Sequence, residues 1–198
     1  MAICGSAVLI ISGLLPQTLR AHPPEDTKPA LVQPCGTFYA KSQAFMICAP
    51  KGWKLDDHVL NDEGIYAVFY PAGSSWTKAM EAGSVMYVHP SPRGTGQDPL
   101  SEFMKEDAER TAKQAPSVKV KELERITTAD GDARVQQFEH SANDRFEAVA
   151  YLDSPETLIV FAITSKDQMS FRRDYPAFAD LVGSYRFLTA QVPSSPDK

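Results

Sequence analysis

The side chains able to do chemistry in this sequence are three cysteines, four histidines and scattered serines and carboxylates. Hydrolysis by a serine needs the nucleophile on a sharp turn with a histidine and an acid in reach, yet no Gly-x-Ser-x-Gly occurs, so Gly73-Ser74-Ser75-Trp76 reads as an ordinary loop. For metal binding, no two of His58, His89 and His140 share helical spacing, and neither His-x-x-Glu-His nor Cys-x-x-Cys is present. These three read as surface or strand histidines. Asp56-Asp57 and Asp62-Glu63 lack the alternating aspartates and glycine of a calcium loop and read as solvated carboxylates. Arg93-Gly94-Thr95-Gly96 precedes no Gly-Lys-Ser, which a phosphate cradle would need. The residues therefore predict no catalytic group, no metal ligand and no cofactor.

Cys35 and Cys48 have another chemistry open to them. The segments 37–40 and 44–47 read as two strands around Lys41-Ser42, which sets Ala40 opposite Gln43, Phe38 opposite Phe45 and Cys35 opposite Cys48. If Ala40 and Gln43 form the hydrogen-bonded pair beside the loop, alternation makes the cysteines a non-hydrogen-bonded pair. The Cα atoms of such a pair lie about 4.5 Å apart, within disulfide reach. A Cys35–Cys48 disulfide follows, with two buried free thiols as the alternative. The sulfurs then have no catalytic role, and two thiols alone make a poor zinc site.

A disulfide requires an oxidising compartment, and the N-terminus points to one. Residues 2–15 carry no charge, and Ala-Val-Leu-Ile-Ile-Ser-Gly-Leu-Leu is the apolar centre of a signal peptide. Pro16, Gln17, Thr18 and Arg20 stop the run short of the about 20 residues that a membrane span needs. A signal peptide over 1–21 is expected, cut after Ala21, which would remove Cys4 and leave no membrane span. The usual basic start is missing, so either the true start lies upstream or the leader is atypical. A buried N-terminal helix is the other reading. Neither Ala2-Ile3-Cys4 nor Gln33-Pro34-Cys35 forms a lipid-attachment box. The expected location is periplasmic or secreted.

Four prolines make 22–34 an extended linker, 35–190 forms one folded domain and 191–198 a disordered tail. The net charge of −5 becomes −6 once Arg20 leaves with the leader, which disfavours nucleic acid as a partner. Within the domain, Pro50-Lys51-Gly52 turns the chain and tucks Trp53 into the core. Strands are expected at 53–55, 65–70 and 84–89, with Ile65, Ala67 and Phe69 on one face and Tyr66, Val68 and Tyr70 on the other. Residues 71–83 read as a loop with one helical turn at 76–80, and the Pro- and Gly-rich 89–97 as a mobile surface loop. Asp98 caps a helix that starts at Pro99 and ends near Gln114, with Leu100, Phe103, Met104, Ala108, Thr111 and Ala112 as its apolar stripe. Strands follow at 118–126, 133–140, 146–152 and 158–164, joined in hairpins by Asp130-Gly131 and Ala142-Asn143-Asp144. The unbroken apolar run 158–163 marks a central strand. A helical region at 168–182, interrupted by Pro176, precedes a closing strand at 185–188. Hairpin-linked strands with few helices give an α+β fold, an antiparallel sheet with helices on both faces.

This order of elements resembles the PsbP, DcrB and Mog-like group. The resemblance covers roughly 38–188 and rests on Phe45-Met46-Ile47-Cys48-Ala49-Pro50-Lys51-Gly52-Trp53, then Ala67-Val68-Phe69-Tyr70, the helix opened by Asp98-Pro99-Leu100, and 178–187. It implies an α/β/α sandwich on a bent antiparallel sheet, a non-enzymatic role and a protein partner of unknown identity. The function expected is thus an exported, non-catalytic binding module that engages a protein or the cell envelope through 71–83 and 89–97. Trp76 and Arg93 are its candidate contacts, Trp76 being either a binding hot spot or a plug over the sheet edge. A small-ligand carrier or an unrecognised hydrolase is the alternative.

Overall fold

The computed structural model describes residues 34–40, 43–57, 65–140 and 145–190. The expected leader, the linker up to residue 33, His58, Asp62-Glu63, the 142–144 connection and the tail lie outside them. Among the described residues the chain forms β1 (Cys35–Tyr39), β2 (Ala44–Cys48), β3 (Trp53–Asp56), β4 (Ala67–Pro71), α1 (Trp76–Ala82), β5 (Ser84–Pro92) and α2 (Pro99–Gln114). It continues through β6 (Lys119–Thr128), β7 (Gly131–His140), β8 (Arg145–Asp153), β9 (Thr157–Ser165), α3 (Gln168–Gly183) and β10 (Arg186–Thr189). All strand pairs are antiparallel. Seven strands form one sheet in the order β3-β4-β5-β9-β8-β7-β6, and β1-β2-β10 form a smaller one.

The sheet is buried on both faces because its central strands carry mostly apolar side chains on both sides, and period-2 alternation sends them to two cores. Ile159, Phe161 and Ile163 of β9 join Ala148, Ala150 and Leu152 of β8 in the main core. That core is closed by Phe171, Phe178, Leu181 and Val182 of α3 and by Phe38, Phe45 and Ile47 of the small sheet. Val160 and Ala162 point to the other face, where Met104, Leu100 and Phe103 of α2 cover them. On the same side Ala79 and Trp76 of α1 pack on Val68, Tyr70 and Val85. Helices therefore cover both faces, as the apolar patterns require. Trp53 lies in the main core, held there by a turn in which its N–H donates to Pro50 O at 3.0 Å and Gly52 takes φ 82°.

Several elements differ from the sequence-based expectation. Residues 89–92 are strand rather than loop, since β5 runs on to Pro92 and pairs with β9 as far as Thr157. Its prolines are tolerated for a directional reason. Val88 O accepts from the Tyr66 N–H, so Val88 faces β4, and Pro90 and Pro92, two and four residues on, face the same way. No described β4 residue pairs with β5 beyond Val88, so among the described residues the donors that these prolines lack have no ladder partner to miss. Strict alternation fails just before β4, where Ile65 packs with Val68 and Tyr70 and Tyr66 with the main core, because Tyr66 and Ala67 both meet Val88 and the extra residue turns the side chains before it over. In β6 a bulge between Leu123 and Ile126 lets these residues, three apart, pack on the same core. Thr128 pairs with Gly131, so the two-residue turn is Ala129-Asp130, one position before the expected one. Pro176 lies inside a continuous α3, because Phe171, Phe178 and Leu181 anchor both of its halves in the core. On α2 Asp107 faces the sheet, whereas Ala112 is exposed.

Candidate functional site

The expected register of the first hairpin is present. Ala40 N–H donates to Gln43 O at 2.8 Å, Ala49 N–H to Pro34 O at 2.9 Å, and Cys35 stands opposite Cys48 between these rungs. A disulfide joins the two cysteines with Cα atoms 3.8 Å apart. Phe38 and Phe45, opposite each other on the inner side, stack at 5.7 Å.

The two candidate contact residues are not brought together. Trp76 is the first residue of α1 rather than part of a loop, capped by the Ser75 hydroxyl, and it packs half-buried against the Val68–Tyr70–Val85 cluster. Its ring lies on the face of the sheet at β4 and β5 rather than over an edge strand. Arg93 follows the far end of β5, where its guanidinium donates to Asp153 at 2.9 Å and to Pro155 O at 3.3 Å. The whole of β5 separates it from α1. Asp56 is drawn into structure as well, accepting from Tyr70 OH at 2.8 Å. Among the described residues no group of three His, Cys, Asp or Glu side chains could hold a metal, and no helix is long and apolar enough to cross a membrane.

A different set of residues converges between α2 and the sheet, around a pocket of about 130 Å³. Helical spacing puts Phe103, Asp107, Arg110 and Thr111 on the sheet side of α2, with the Asp98 cap accepting from Ser101 N–H at 3.1 Å to fix where the helix starts. Alternation puts Tyr87 and His89 of β5 and Glu147 and Val149 of β8 on the helix side of the sheet. Ala162 of β9 pairs with Tyr87 on one side and Val149 on the other, and its short side chain leaves the space between them open.

The polar groups of the pocket are linked in two sets. Tyr151 OH donates to Asp107 at 2.5 Å, and Arg110 forms a close ion pair with the same carboxylate. Tyr87 OH donates weakly to Glu147 at 3.4 Å, and His140 Nε2 lies 3.7 Å from the other oxygen. Burial, and next the charge of Asp107, push the Glu147 carboxyl up to about 7. Burial, followed by Arg145, lowers the pKa of His140. The His140–Glu147 contact is thus too long for a hydrogen bond and brings together two groups that both favour their neutral forms. Burial also lowers His89, whose Nδ1 is buried without a hydrogen-bond partner, and raises the hydroxyls of Tyr87 and Tyr151. Sequence reasoning missed this cluster. The available signal was Glu147 in phase with Val149 and Tyr151 on a strand whose other face is also apolar.

No family model matches the chain, and no curated protein matches it. Among solved structures, cyanobacterial PsbP (CyanoP) from Synechocystis sp. PCC 6803 superposes with a TM-score of 0.50 at 11% identity, over 86% of this chain and 99% of that one. The fold is PsbP-like. The Ran-binding protein Mog1p of Saccharomyces cerevisiae aligns with a TM-score of 0.49 at 11% identity, over 78% of this chain and 95% of that one. The PsbP-like fold expected from the order of elements is met by the CyanoP superposition. In this PsbP-like fold the disulfide hairpin belongs to the small sheet and the polar pocket to the α2 side of the large one. At such identity the likeness concerns the fold alone, and function has to be argued from the sites.

Proposed function

We propose that this chain is an exported, non-catalytic binding module that engages a protein partner in the periplasm or outside the cell. The observation that carries the reading is the small sheet. Tyr39 and Leu188 are 61% and 47% exposed on the two strands that flank Ala44 of β2. Large exposed apolar side chains held on a rigid sheet suit protein contact, because little side-chain freedom is lost on binding. The disulfide at the base of the same strands supports export, since such bonds persist in oxidising compartments. Trp76, half-buried, and Arg93, tied to Asp153, lie at opposite ends of β5 and would belong to separate contacts. The pocket beneath α2 favours a second role, as carrier of a small ligand.

Pull-down from the native envelope fraction tests the main reading, with wild type compared against Tyr39→Ser/Leu188→Ser and Trp76→Ala/Arg93→Ala double variants. Loss of a partner from the first variant alone is expected. Equal recovery of every partner by all three proteins overturns the surface assignment.

A further inference from the structure

The carboxylates of Asp107 and Glu147 line the same small pocket, and the groups around them leave acceptor capacity unused. Around Glu147 the described residues place a 3.4 Å contact from Tyr87 OH, a 3.7 Å approach of His140 and a hydrogen bond with Thr164. His89 adds a buried nitrogen without a partner, and a neutral imidazole offers one ring nitrogen as acceptor. Asp107 already attracts a cation, since Arg110, whose side chain is 60% exposed, reaches in from the rim to pair with it. The remaining walls include the rings of Tyr87 and Phe103, whose faces attract positive charge. Two carboxylates, an unused acceptor and aromatic walls call for a compact group that is both cationic and rich in donors. The volume of about 130 Å³ is close to that of cavities of roughly 150 Å³ that hold benzene, which suits a ligand of about four carbons.

We propose that the pocket beneath α2 binds a small organic ammonium group, held by the carboxylates of Asp107 and Glu147 and the free nitrogen of His89 against the rings of Tyr87 and Phe103. This inference rests on the carrier reading of the pocket and is independent of the small-sheet surface. Below about pH 7, binding of the cation displaces the proton on Glu147. The groups facing Glu147 are Asp107 and Arg110 of α2, Tyr87 and His89 of β5, His140 of β7, Arg145 and Tyr151 of β8 and Thr164 of β9. With its carboxyl near 7, the ionised fraction rises about tenfold between pH 6 and pH 8.

The test is titration of the exported, disulfide-bonded protein with n-butylammonium chloride, n-butanol and sodium butyrate, followed by amide ¹H–¹⁵N shifts. Saturable shifts in α2, β5 and β8 are expected with butylammonium at pH 8, with binding about tenfold weaker at pH 6 and at least about tenfold weaker for butanol and butyrate. Glu147→Gln should weaken butylammonium at least about tenfold. Thr111→Trp, which fills the rim and keeps both carboxylates, should abolish binding. Nα-acetyl-lysine methylamide separates the two sources of an ammonium group: binding as tight as butylammonium supports a partner's lysine, and exclusion supports a free amine. Butanol binding as tightly as butylammonium overturns the ammonium assignment while the carrier reading stands. Absence of saturable shifts with every compound overturns both, and unchanged butylammonium affinity in Glu147→Gln overturns the assignment by itself.

Discussion

Glu147 shows how one side chain can carry a conflict that the rest of the molecule tolerates. Its folded pKa of about 7 lies above the ordinary value of 4.5, so the folded state binds a proton that the unfolded chain has released between those two limits. Stability from this group is therefore fully present below about pH 4.5, falls as pH rises and is lost above about pH 7. Glu147→Gln removes the conflict and should stabilise the protein at pH 8 by up to about 3 kcal/mol, with little change at pH 4. Urea unfolding of both proteins at the two pH values measures it. Equal differences at both would contradict the assigned ionisation. At the other end of the molecule, the Cys35–Cys48 bridge closes a short loop in the unfolded chain, and Cys48→Ser should cost about 3 kcal/mol. Intact mass before and after alkylation, without and with reductant, should show two masked thiols in the exported protein.

At the scale of elements, β5 and β9 respond to proline in opposite ways. Pro90 faces a side on which β5 has no described partner, so Pro90→Thr acts mainly through the unfolded chain and should cost no more than about 1 kcal/mol. Ile159, its cross-strand neighbour, lies in a strand paired on both sides, and Ile159→Pro should cost about 3 kcal/mol or more. Thermal unfolding of the two variants checks the contrast. The same accounting explains why 89–92 reads as a loop in the sequence: proline content reports a missing donor, and only the neighbouring strand decides whether that donor was needed. Edge strand β6 shows a related effect, since its charged Lys119, Lys121, Glu122, Glu124 and Arg125 sit where charges discourage pairing with another chain.

The two sheets of the molecule are joined by a buried polar link as well as by the main core. Ser154 Oγ donates to Gln43 Oε1 at 2.9 Å and lies 2.9 Å from Tyr185 OH, connecting the start of β2, the β8–β9 turn and the approach to β10. Tyr185→Phe removes one bond and leaves Ser154 with Gln43, so a loss of about 1 kcal/mol is expected. Ser154→Ala strands both Gln43 and Tyr185, and it should cost more, about 2–3 kcal/mol. Equilibrium urea unfolding orders the two variants, and the reverse order would mean that the link does not act through Ser154.

Much of this fold is local and can be read along the chain. The Cys35–Cys48 register follows from a two-residue loop, the start of α2 from Asp98-Pro99, and the central position of β9 from an unbroken apolar run. Each depends on backbone geometry over a few residues, where composition and period suffice. What neighbours decide lies beyond that range. The pairing of β10 with β2 in a separate sheet joins elements far apart in sequence, and the β6 bulge and the burial of Trp76 depend on how neighbouring strands pack rather than on a local period. The pocket is the clearest case. Tyr87, Asp107 and Glu147 come from three elements, none of which carries a motif, and they meet only because strand alternation and one helical face bring them around the short side chain of Ala162. Burial is what raises the Glu147 carboxyl, and in water that same side chain would hold its ordinary value and signal nothing.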